Sequence, residues 1–412
     1  MNATSRFRVV PAGRRSGKTE NAKRFVVEMA MSDHRDVYPR AKYFCAAPTR
    51  DQAKRIYWED LKDLCPRSAI AKISESELTI WLVHGPRLCV IGMDKPMRAD
   101  GEPLDGGILD EFGDMKATAF TRHIRPALST DGREGWCWFI GKPTGRNHYY
   151  DRWIDAIADT TGQWTGHTWK SSTVLSAEEV QAAKRDLDPL SFRQEYEAEF
   201  LTFSGRAYYS FDPELHAIAT LEYNAAAPIA LCFDFNVNPG VCAVIQEHGD
   251  CTDIIGEVWI PNDSNTQRVC RKIVADWGKH AGDVYLYGDA TGAARKTSAV
   301  LGSDWDLIVA ELQPVFKERL KKRVGRSNPP ERVRVNAVNA RLLNAAGEVR
   351  LRCCAVNAKR NAVDFEGVTM LDGTAGELDK KSAPMLTHMS DAVGYYVARK
   401  HPIKSHRTRV TR

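Results

Sequence analysis

Long apolar runs are missing from this chain of 412 residues. No stretch approaches the ~18–20 consecutive apolar residues of a membrane span, so a transmembrane helix is not expected. The first residues, Met1 to Arg8, are polar and lead straight into a strand, and no secretory signal is expected. Paired CxxC motifs are missing as well. The ten cysteines are scattered, and even the neighbours Cys353 and Cys354 lack zinc-site spacing. They read as reduced, mostly buried thiols of a cytoplasmic protein. No internal repeat or long low-complexity stretch interrupts the chain. An excess of one charge is also lacking: with 27% charged residues the net charge is only +5, a mild basic bias compatible with a polyanionic partner but equally with an ordinary soluble enzyme. What is present is enough apolar material, 43% of residues, to build cores, and enough length for two or three domains.

The N-terminal half is organised around a loop. Phe7 to Val10 reads as a short strand, followed by Ala12-Gly13-Arg14-Arg15-Ser16-Gly17-Lys18-Thr19 and a helix with Ala22, Phe25, Val26 and Met29 at helical spacing. Strand, loop and helix in this order form the setting of a phosphate-binding loop. Backbone N–H groups around Gly17 would cradle a β-phosphate, the Lys18 ammonium would reach the β- and γ-phosphates, and the Thr19 hydroxyl would hold Mg²⁺. The strict pattern GxxxxGK[ST] fails, because its first glycine is Ala12 and Gly13 comes one place late. A basic turn capped by a helix would look similar.

Further along, Gly106-Gly107-Ile108-Leu109 is a short apolar strand ending in Asp110-Glu111. An acidic pair there can hold Mg²⁺ through water with its first member and polarise an attacking water with its second. Such pairs also cap helices, but the loop upstream favours the nucleotide reading. Between the two motifs lie a strand, Tyr43 to Ala47, and an amphipathic helix through Ala53, Ile56, Tyr57, Leu61 and Leu64. After the acids a strand from Trp136 to Ile140 ends in Gly141-Lys142-Pro143-Thr144-Gly145-Arg146-Asn147-His148. Strands alternating with helices imply an α/β fold with a parallel sheet and its loops at one edge.

The succession AGRRSGKT, AAPTRDQA, GGILDEFGDM and GKPTGRNHYYDRW resembles the ATPase domain of tailed-bacteriophage terminase large subunits. The resemblance implies that Arg14, four places before Lys18, acts at the phosphates, where a guanidinium can neutralise developing charge. It implies a nucleotide-binding set of Gly13, Arg14, Arg15, Ser16, Gly17, Lys18, Thr19 and Asp110, with Glu111 and Arg14 catalytic and Arg15 facing solvent or DNA. Two departures stand out. The segment after the third strand often carries threonine before its proline, where this chain has Lys142. An adenine-contacting segment often lies well upstream of the loop, and in this chain base recognition is expected to come from elsewhere or to be loose.

From Trp164 to Phe203 the pattern is that of a small helical linker: one helix with Val180, Ala183 and Leu187, then a second amphipathic stretch, Phe192 to Phe200, ending at Ser204-Gly205-Arg206. The C-terminal half then reads as a ribonuclease-H-like domain with a mixed sheet. Strands are expected at Ile229 to Phe235, Gly240 to Gln246, Thr252 to Ile260 and Val284 to Gly288, with a turn at His248-Gly249-Asp250. A helix carries Val269, Ile273, Val274 and Trp277. A further strand is expected near Leu307 to Leu312, then a helix with Val335, Val338 and Leu342, and a last helix with Met389, Val393, Tyr396 and Val397.

In that topology Asp234 ends the first strand, Asp289 ends the fourth, and Asp391 opens the last helix. Strand-end aspartates are usually turn residues, but three in one cleft can hold two Mg²⁺ or Mn²⁺ ions about 3.5–4 Å apart. FDFNVNP, YGDATG and HMSDAVGYYV also resemble the terminase family. Glu257 is open between an added ligand and a cross-strand salt-bridge partner. The basic stretch Lys317 to Arg326 and the tail from Lys400, with Lys404, Arg407, Arg409 and Arg412, are either solvated or phosphate-contacting.

The expected organisation is an ATPase domain over residues 1–160, a linker over 161–205, a nuclease domain over 206–400 and a basic tail over 401–412. The resemblance implies a DNA-packaging ATPase and Mg/Mn-dependent endonuclease using ATP with Mg²⁺. It also implies double-stranded DNA, a portal protein, a small terminase subunit and a homo-oligomeric ring as partners, in the host cytoplasm and docked on the procapsid. A helicase-like repair ATPase fused to a nuclease would need helicase motifs that the sequence does not show. An inactive scaffold would not need every acid that the chemistry requires.

Overall fold

The computed structural model describes residues 5–96, 101–130, 132–145, 147–201, 205–235, 238–293, 302–371 and 377–403. Arg146 and the tail residues Lys404, Arg407, Arg409 and Arg412 therefore lie outside the described residues. The chain forms two compact units, residues 1–180 with 193–202, and residues 181–192 with 203–412. The segment expected as a linker is thus divided between the two units.

The first unit is built on an eight-stranded sheet in the order β10-β1-β9-β6-β2-β5-β4-β3. Its strands are β1 (Phe7–Pro11), β2 (Lys42–Ala47), β3 (Ile70–Ser74), β4 (Thr79–Leu82), β5 (Arg87–Gly92), β6 (Gly106–Asp110), β9 (Trp136–Gly141) and β10 (Trp164–Gly166), with β7 (Ser129–Thr130) and β8 (Arg133–Glu134) forming a separate hairpin. From β10 to β5 all neighbours are parallel, and only β5-β4-β3 is antiparallel. Parallel strands are buried on both faces, so β1 and β6 read as unbroken apolar runs and are fully buried. Alternate residues feed two cores. Val10, Cys45 and Ile108 join Ala22 and Val26 of the helix α1 (Lys18–Ser32) on one face. Val9, Phe44 and Leu109 join Phe112, Phe120 and Tyr149 on the other. The parallel register places the exits of β1, β6 and β9 side by side at one sheet edge.

The second unit carries a seven-stranded mixed sheet in the order β11-β17-β14-β13-β12-β15-β16. Its members are β11 (Ala217–Ile218), β12 (Ile229–Asp234), β13 (Gly240–His248), β14 (Cys251–Ile260), β15 (Val284–Gly288), β16 (Leu320–Lys322) and β17 (Leu351–Cys354). The pairs β12-β13 and β13-β14 are antiparallel, and β12-β15 is parallel. One face packs on the helix Glu331–Leu342 and the last helix, His388–Lys400, through Val335, Val338, Met389, Val393 and Val397. The other packs on the helices Thr266–Trp277 and Asp304–Phe316.

The strand expected near Leu307 to Leu312 is instead the middle of that last-named helix. Ser303 caps its start in a reciprocal capping box with Asp306, and Trp305, Ile308, Leu312 and Phe316 are all fully buried. Their spacing of three, four and four residues is the helical period, which the unbroken apolar run 307–310 conceals. The next strand is β16, inside the basic stretch that reads from sequence as a charge run. The second amphipathic stretch of the middle segment is helical only over Pro189–Glu195, so its helix stops short of Phe200. The cysteines are free, and all but Cys251 are buried. No described helix is long and apolar enough to cross a membrane.

Asp105, just before β6, ties the sheet edge together. Its buried carboxylate accepts from Arg133 Nη2 at 2.6 Å, Arg35 Nη2 at 3.0 Å and the Lys42 backbone N–H at 2.9 Å. Replacing it by alanine leaves the buried Arg133 guanidinium uncompensated. Asp105→Ala should therefore cost about 3–5 kcal/mol in urea unfolding followed by tryptophan fluorescence. A loss below about 1 kcal/mol would mean the pair is solvated rather than buried.

Candidate functional sites

In the first unit the loop between β1 and α1 turns tightly. Gly17 is left-handed at φ 78° and caps α1, and Arg15 also has positive φ at 55°. The misplaced glycine has a structural reason. Ala12 still belongs to the sheet, its N–H donating to Gly141 O at 3.1 Å. It is Gly13 that meets the returning chain, where a Cβ would lie 2.5 Å from Ser171 N and 2.8 Å from Tyr196 O. The Gly13 N–H donates to Trp169 O, the Arg14 N–H donates to Glu195 O, and the Ser171 hydroxyl donates to Arg14 O. Only glycine fits that approach.

The loop meets the acidic pair at Asp110. The Thr19 hydroxyl donates to Asp110 Oδ2 at 3.1 Å, and the buried Tyr57 hydroxyl donates to the same oxygen at 2.8 Å. Lys18 Nζ, itself buried, donates to Gly13 O at 3.3 Å, bent back onto its own loop. Burial raises the Asp110 carboxyl above its ordinary pKa, against the pull of Lys18 and Tyr57. Burial also raises Glu111, with Asp110 adding to the shift and Lys18 and Lys142 opposing it. Glu111 sits at φ 51°, a backbone conformation that non-glycine residues rarely adopt. Beyond it, Asn147 Nδ2 donates to Gly113 O at 2.9 Å and the His148 ring lies 3.1 Å from Phe112 O. These contacts fasten the exit of β9 to the turn that carries Glu111. Thr19 and Asp110 together present hard oxygen donors, a set suited to Mg²⁺.

Arg14 points to a residue that sequence reasoning missed. Its Nη1 pairs with Glu195 Oε2 at 2.7 Å, while Lys142 Nζ reaches Glu195 Oε1 at 3.2 Å. Burial works to raise the Glu195 carboxyl, but Lys142 and Arg14 outweigh it and hold it below its ordinary value. Nothing in the spacing of FRQEYEAEF marks this glutamate, since the contact spans 181 residues to Arg14. Arg15 is exposed.

In the second unit β12 and β15 pair in parallel with Phe233 opposite Gly288, so Asp234 and Asp289 leave adjacent strand ends. Gly288, at φ 151°, has Phe233 O 2.3 Å from where a Cβ would stand, so a side chain there would push the strands apart. Asp289 Oδ1 accepts from Asn328 Nδ2 at 2.6 Å and from the Thr291 N–H at 2.7 Å. His388 Nδ1 lies 3.2 Å from Asp234 Oδ2. Asp391, buried in the last helix, pairs with Arg334 Nη2 at 2.9 Å and Lys380 Nζ at 2.8 Å. Burial raises its carboxyl, Arg334 and Lys380 oppose this, and Asp234 adds to it. Burial raises the Tyr395 phenol, Arg334 opposes this, and Asp234, Asp289 and Asp391 add to it.

Among the described residues no group of three or more His, Cys, Asp or Glu is placed to hold a metal ion. Asp234 and Asp289 are a hard oxygen pair that suits Mg²⁺ or Mn²⁺, but Asp391 has committed both its oxygens to Arg334 and Lys380. Asn328, Arg334 and Lys380 are further residues that no motif announced, and His388 lies in the segment HMSDAVGYYV without having been singled out there. The Glu257 carboxylate accepts from the backbone N–H groups of Arg360 and Asn361 at the start of the helix Lys359–Gly367.

The fold and these strand-end sites define a class: an α/β phosphate-loop unit followed by a ribonuclease-H-like unit. Residues 10–213 match the family described as "Terminase large subunit, T4likevirus-type, N-terminal". The chain is 26% identical over 180 residues to the large terminase subunit of Escherichia phage T5, an alignment covering 42% of this chain and 40% of that one. It is also 26% identical over 245 residues to that of Thermus phage G20c, covering 51% of this chain and 49% of the relative. The matched region thus spans under half the length of these curated relatives. In fold it is similar to the large terminase of a thermophilic bacteriophage, with a TM-score of 0.59 at 16% identity over 96% of this chain and 94% of that one. That thermophilic phage protein has also been solved with ADP and with ATP-gamma-S. Residues 10–213 thus match the N-terminal family of terminase large subunits, and the chain shares the fold of a phage large terminase over 96% of its length.

A pH dependence follows from Asp364, which accepts the N–H groups of Met389 and Ser390 at the start of the last helix. Burial pushes its carboxyl up to about 7. An unfolded aspartate titrates near ~3.9, so the stability linked to this group is complete below that value and is lost as pH rises through about 7. His388 is shifted upward by Asp234 against the effect of burial and acts with the same sign. Asp364→Asn keeps an acceptor oxygen and removes the titration. The wild-type denaturation midpoint should fall between pH 5 and pH 8, and the variant should fall less. Identical slopes would show that Asp364 titrates normally.

Proposed function

We propose that the chain is an ATP-driven DNA-packaging motor that carries its own metal-dependent DNA-cutting unit. The observation that carries this reading is the hydrogen bond from Thr19 of the loop to the buried Asp110, with Lys18 in the same loop and the half-buried Glu111 next in the chain. Backbone N–H groups at the start of α1 bind the phosphates of ATP, and Lys18 leaves Gly13 O to neutralise them. Glu111, its pKa raised, accepts the proton of the attacking water. Thr19 and Asp110 would hold Mg²⁺, which supplies charge neutralisation at the phosphates when bound. Arg14, released from Glu195, is within the same loop to answer charge in the transition state.

In the second unit Asp234, Asp289 and, once Lys380 lets go, Asp391 would hold two Mg²⁺ or Mn²⁺ ions. The metals would activate water and stabilise the departing oxygen of a DNA phosphodiester. Asn328 orients Asp289, and His388 orients Asp234. Lys322 and Arg323, on and just after β16 beside the Asp289 strand, would meet DNA phosphates with salt-dependent affinity. The proposal includes double-stranded DNA as substrate, a ring of copies on a procapsid portal, and a small terminase subunit as partner in the host cytoplasm.

The two activities separate by mutation. Lys18→Ala should lower ATP turnover by about 100-fold or more and abolish packaging, while Mn²⁺-dependent plasmid cutting persists. Asp234→Ala should abolish cutting and keep ATP turnover. Undiminished ATP turnover in Lys18→Ala, or persistent cutting in Asp234→Ala, would sink the corresponding half of the reading.

A further inference from the structure

Beside the phosphate loop lies a cavity of about 660 Å³ within the first unit, and it has no part in the chemistry described above. It is bounded by Ser16 of the loop, by Asn21 and Phe25 on one stripe of α1, by Trp138 of β9, and by Trp169 and Val174 from the chain after β10. Phe25 and Trp138 stack at 4.5 Å between ring centroids and make an aromatic wall. Trp169 is fixed to the loop, its Nε1–H donating to Ser16 O at 2.8 Å.

Two observations indicate that this cavity expects a ligand. The Ser16 hydroxyl, in a side chain only 2% exposed, has no hydrogen-bond partner among the described residues, although it borders the cavity. A buried hydroxyl left unpaired costs free energy that a ligand oxygen or nitrogen would recover. Val174, facing the same space, is 59% exposed, an apolar side chain without an apolar cover. A flat aromatic ligand would satisfy both.

Resting on the reading of the loop as an ATP site, we propose that this cavity receives the adenine base and ribose of the nucleotide. Phosphates held at Gly17, Lys18 and Thr19 leave the nucleoside to extend past Ser16 along α1, and Asn21 is one turn beyond the loop on that path. The Trp169 indole and Val174 offer surfaces for the faces of a purine, a contact that any base would gain from. Selectivity falls to Asn21. Its side-chain amide presents one donor group and one acceptor, the complement of the N6–H and N7 edge of adenine, whereas guanine offers two acceptors there. Base recognition is thus assigned to residues downstream of the loop, on α1 and in the segment after β10.

The test compares ATP, GTP and inorganic tripolyphosphate binding to the full chain by calorimetry. Tripolyphosphate shares the phosphates and lacks the base. Trp169→Ala should weaken ATP at least tenfold and leave tripolyphosphate within twofold. Because Trp169 also braces Ser16, Asn21→Leu, at an exposed helix position, provides the second variant. It should weaken ATP about fivefold, leave tripolyphosphate unchanged and erase any preference over GTP. Unchanged ATP affinity in both variants, or equal losses of ATP and tripolyphosphate, would overturn the assignment. If Lys18→Ala weakens neither ligand, the nucleotide reading of the loop fails, and this inference with it. Photolabelling by 2-azido-ATP gives an independent readout: label is expected in peptides containing Trp169 or Asn21, and label confined elsewhere counts against the cavity.

Discussion

Asp110 ends a strand buried on both sides, and a carboxylate there must be answered by donors or it will take up a proton. Thr19 and Tyr57 answer it with hydroxyls on one oxygen, and the Glu111 N–H donates to the other at 2.9 Å. Lys18 adds a positive charge that works against the shift. Since Thr19 stands at the start of α1 and Tyr57 in the helix after β2, this single carboxylate fixes how the two helices meet the sheet. Glu111 is then carried past the strand end in a left-handed conformation, its carbonyl accepting the Asp114 N–H at 2.9 Å. The constraint also explains why Glu111 is suited to take a proton. It is half-buried next to another acid, and the positive charges that oppose the shift, Lys18 and Lys142, do not cancel it.

The same constraint acts on the second sheet with a different outcome. Asp289 is answered by an amide and a backbone N–H, Asp234 by a histidine, and Asp391 by two full cations. Asp391 is the most deeply set of these, and burying it without a partner would cost several kcal/mol. Arg334 is itself buried, and its guanidinium lies 4.2 Å from the centre of the Tyr395 ring. Lys380 is more exposed, with 45% of its side chain open to solvent. Of the two cations it is the one that can leave at small cost, because water can take over its ammonium.

The parts of the fold that announce themselves in the sequence are those whose periodicity is forced by burial. The strands β1, β2, β6, β9 and β12 to β15, and the helix after the loop, have apolar patterns that no other packing would satisfy. The strands β3 and β16 are short edge strands with exposed lysines, and charge hides the pleat. The helix Asp304–Phe316 is concealed in the opposite way, by an apolar run long enough to pass for a strand. For the sites, every acid expected at a strand end is found there, because the end of a strand is a local property. Glu195, Asn328 and Lys380 act through contacts between segments distant in sequence, and composition carries no trace of them.

Lys142 shows how such a hidden contact resolves a local departure. Where related chains often carry threonine, a lysine close to the acidic pair would bring a positive charge toward the phosphate loop, which already holds Arg14, Arg15 and Lys18. Glu195 lies between Lys142 and Arg14 and takes one from each side, so the extra charge is compensated within the same unit. Its carboxylate is kept ionised by the two cations despite burial, and each of them in turn is drawn to it. A polyanion arriving at the loop would compete with Glu195 for both at once. The exit of β9 and the phosphate loop are therefore coupled through one side chain, and lysine at 142 makes that coupling electrostatic where a threonine hydroxyl would make it a hydrogen bond.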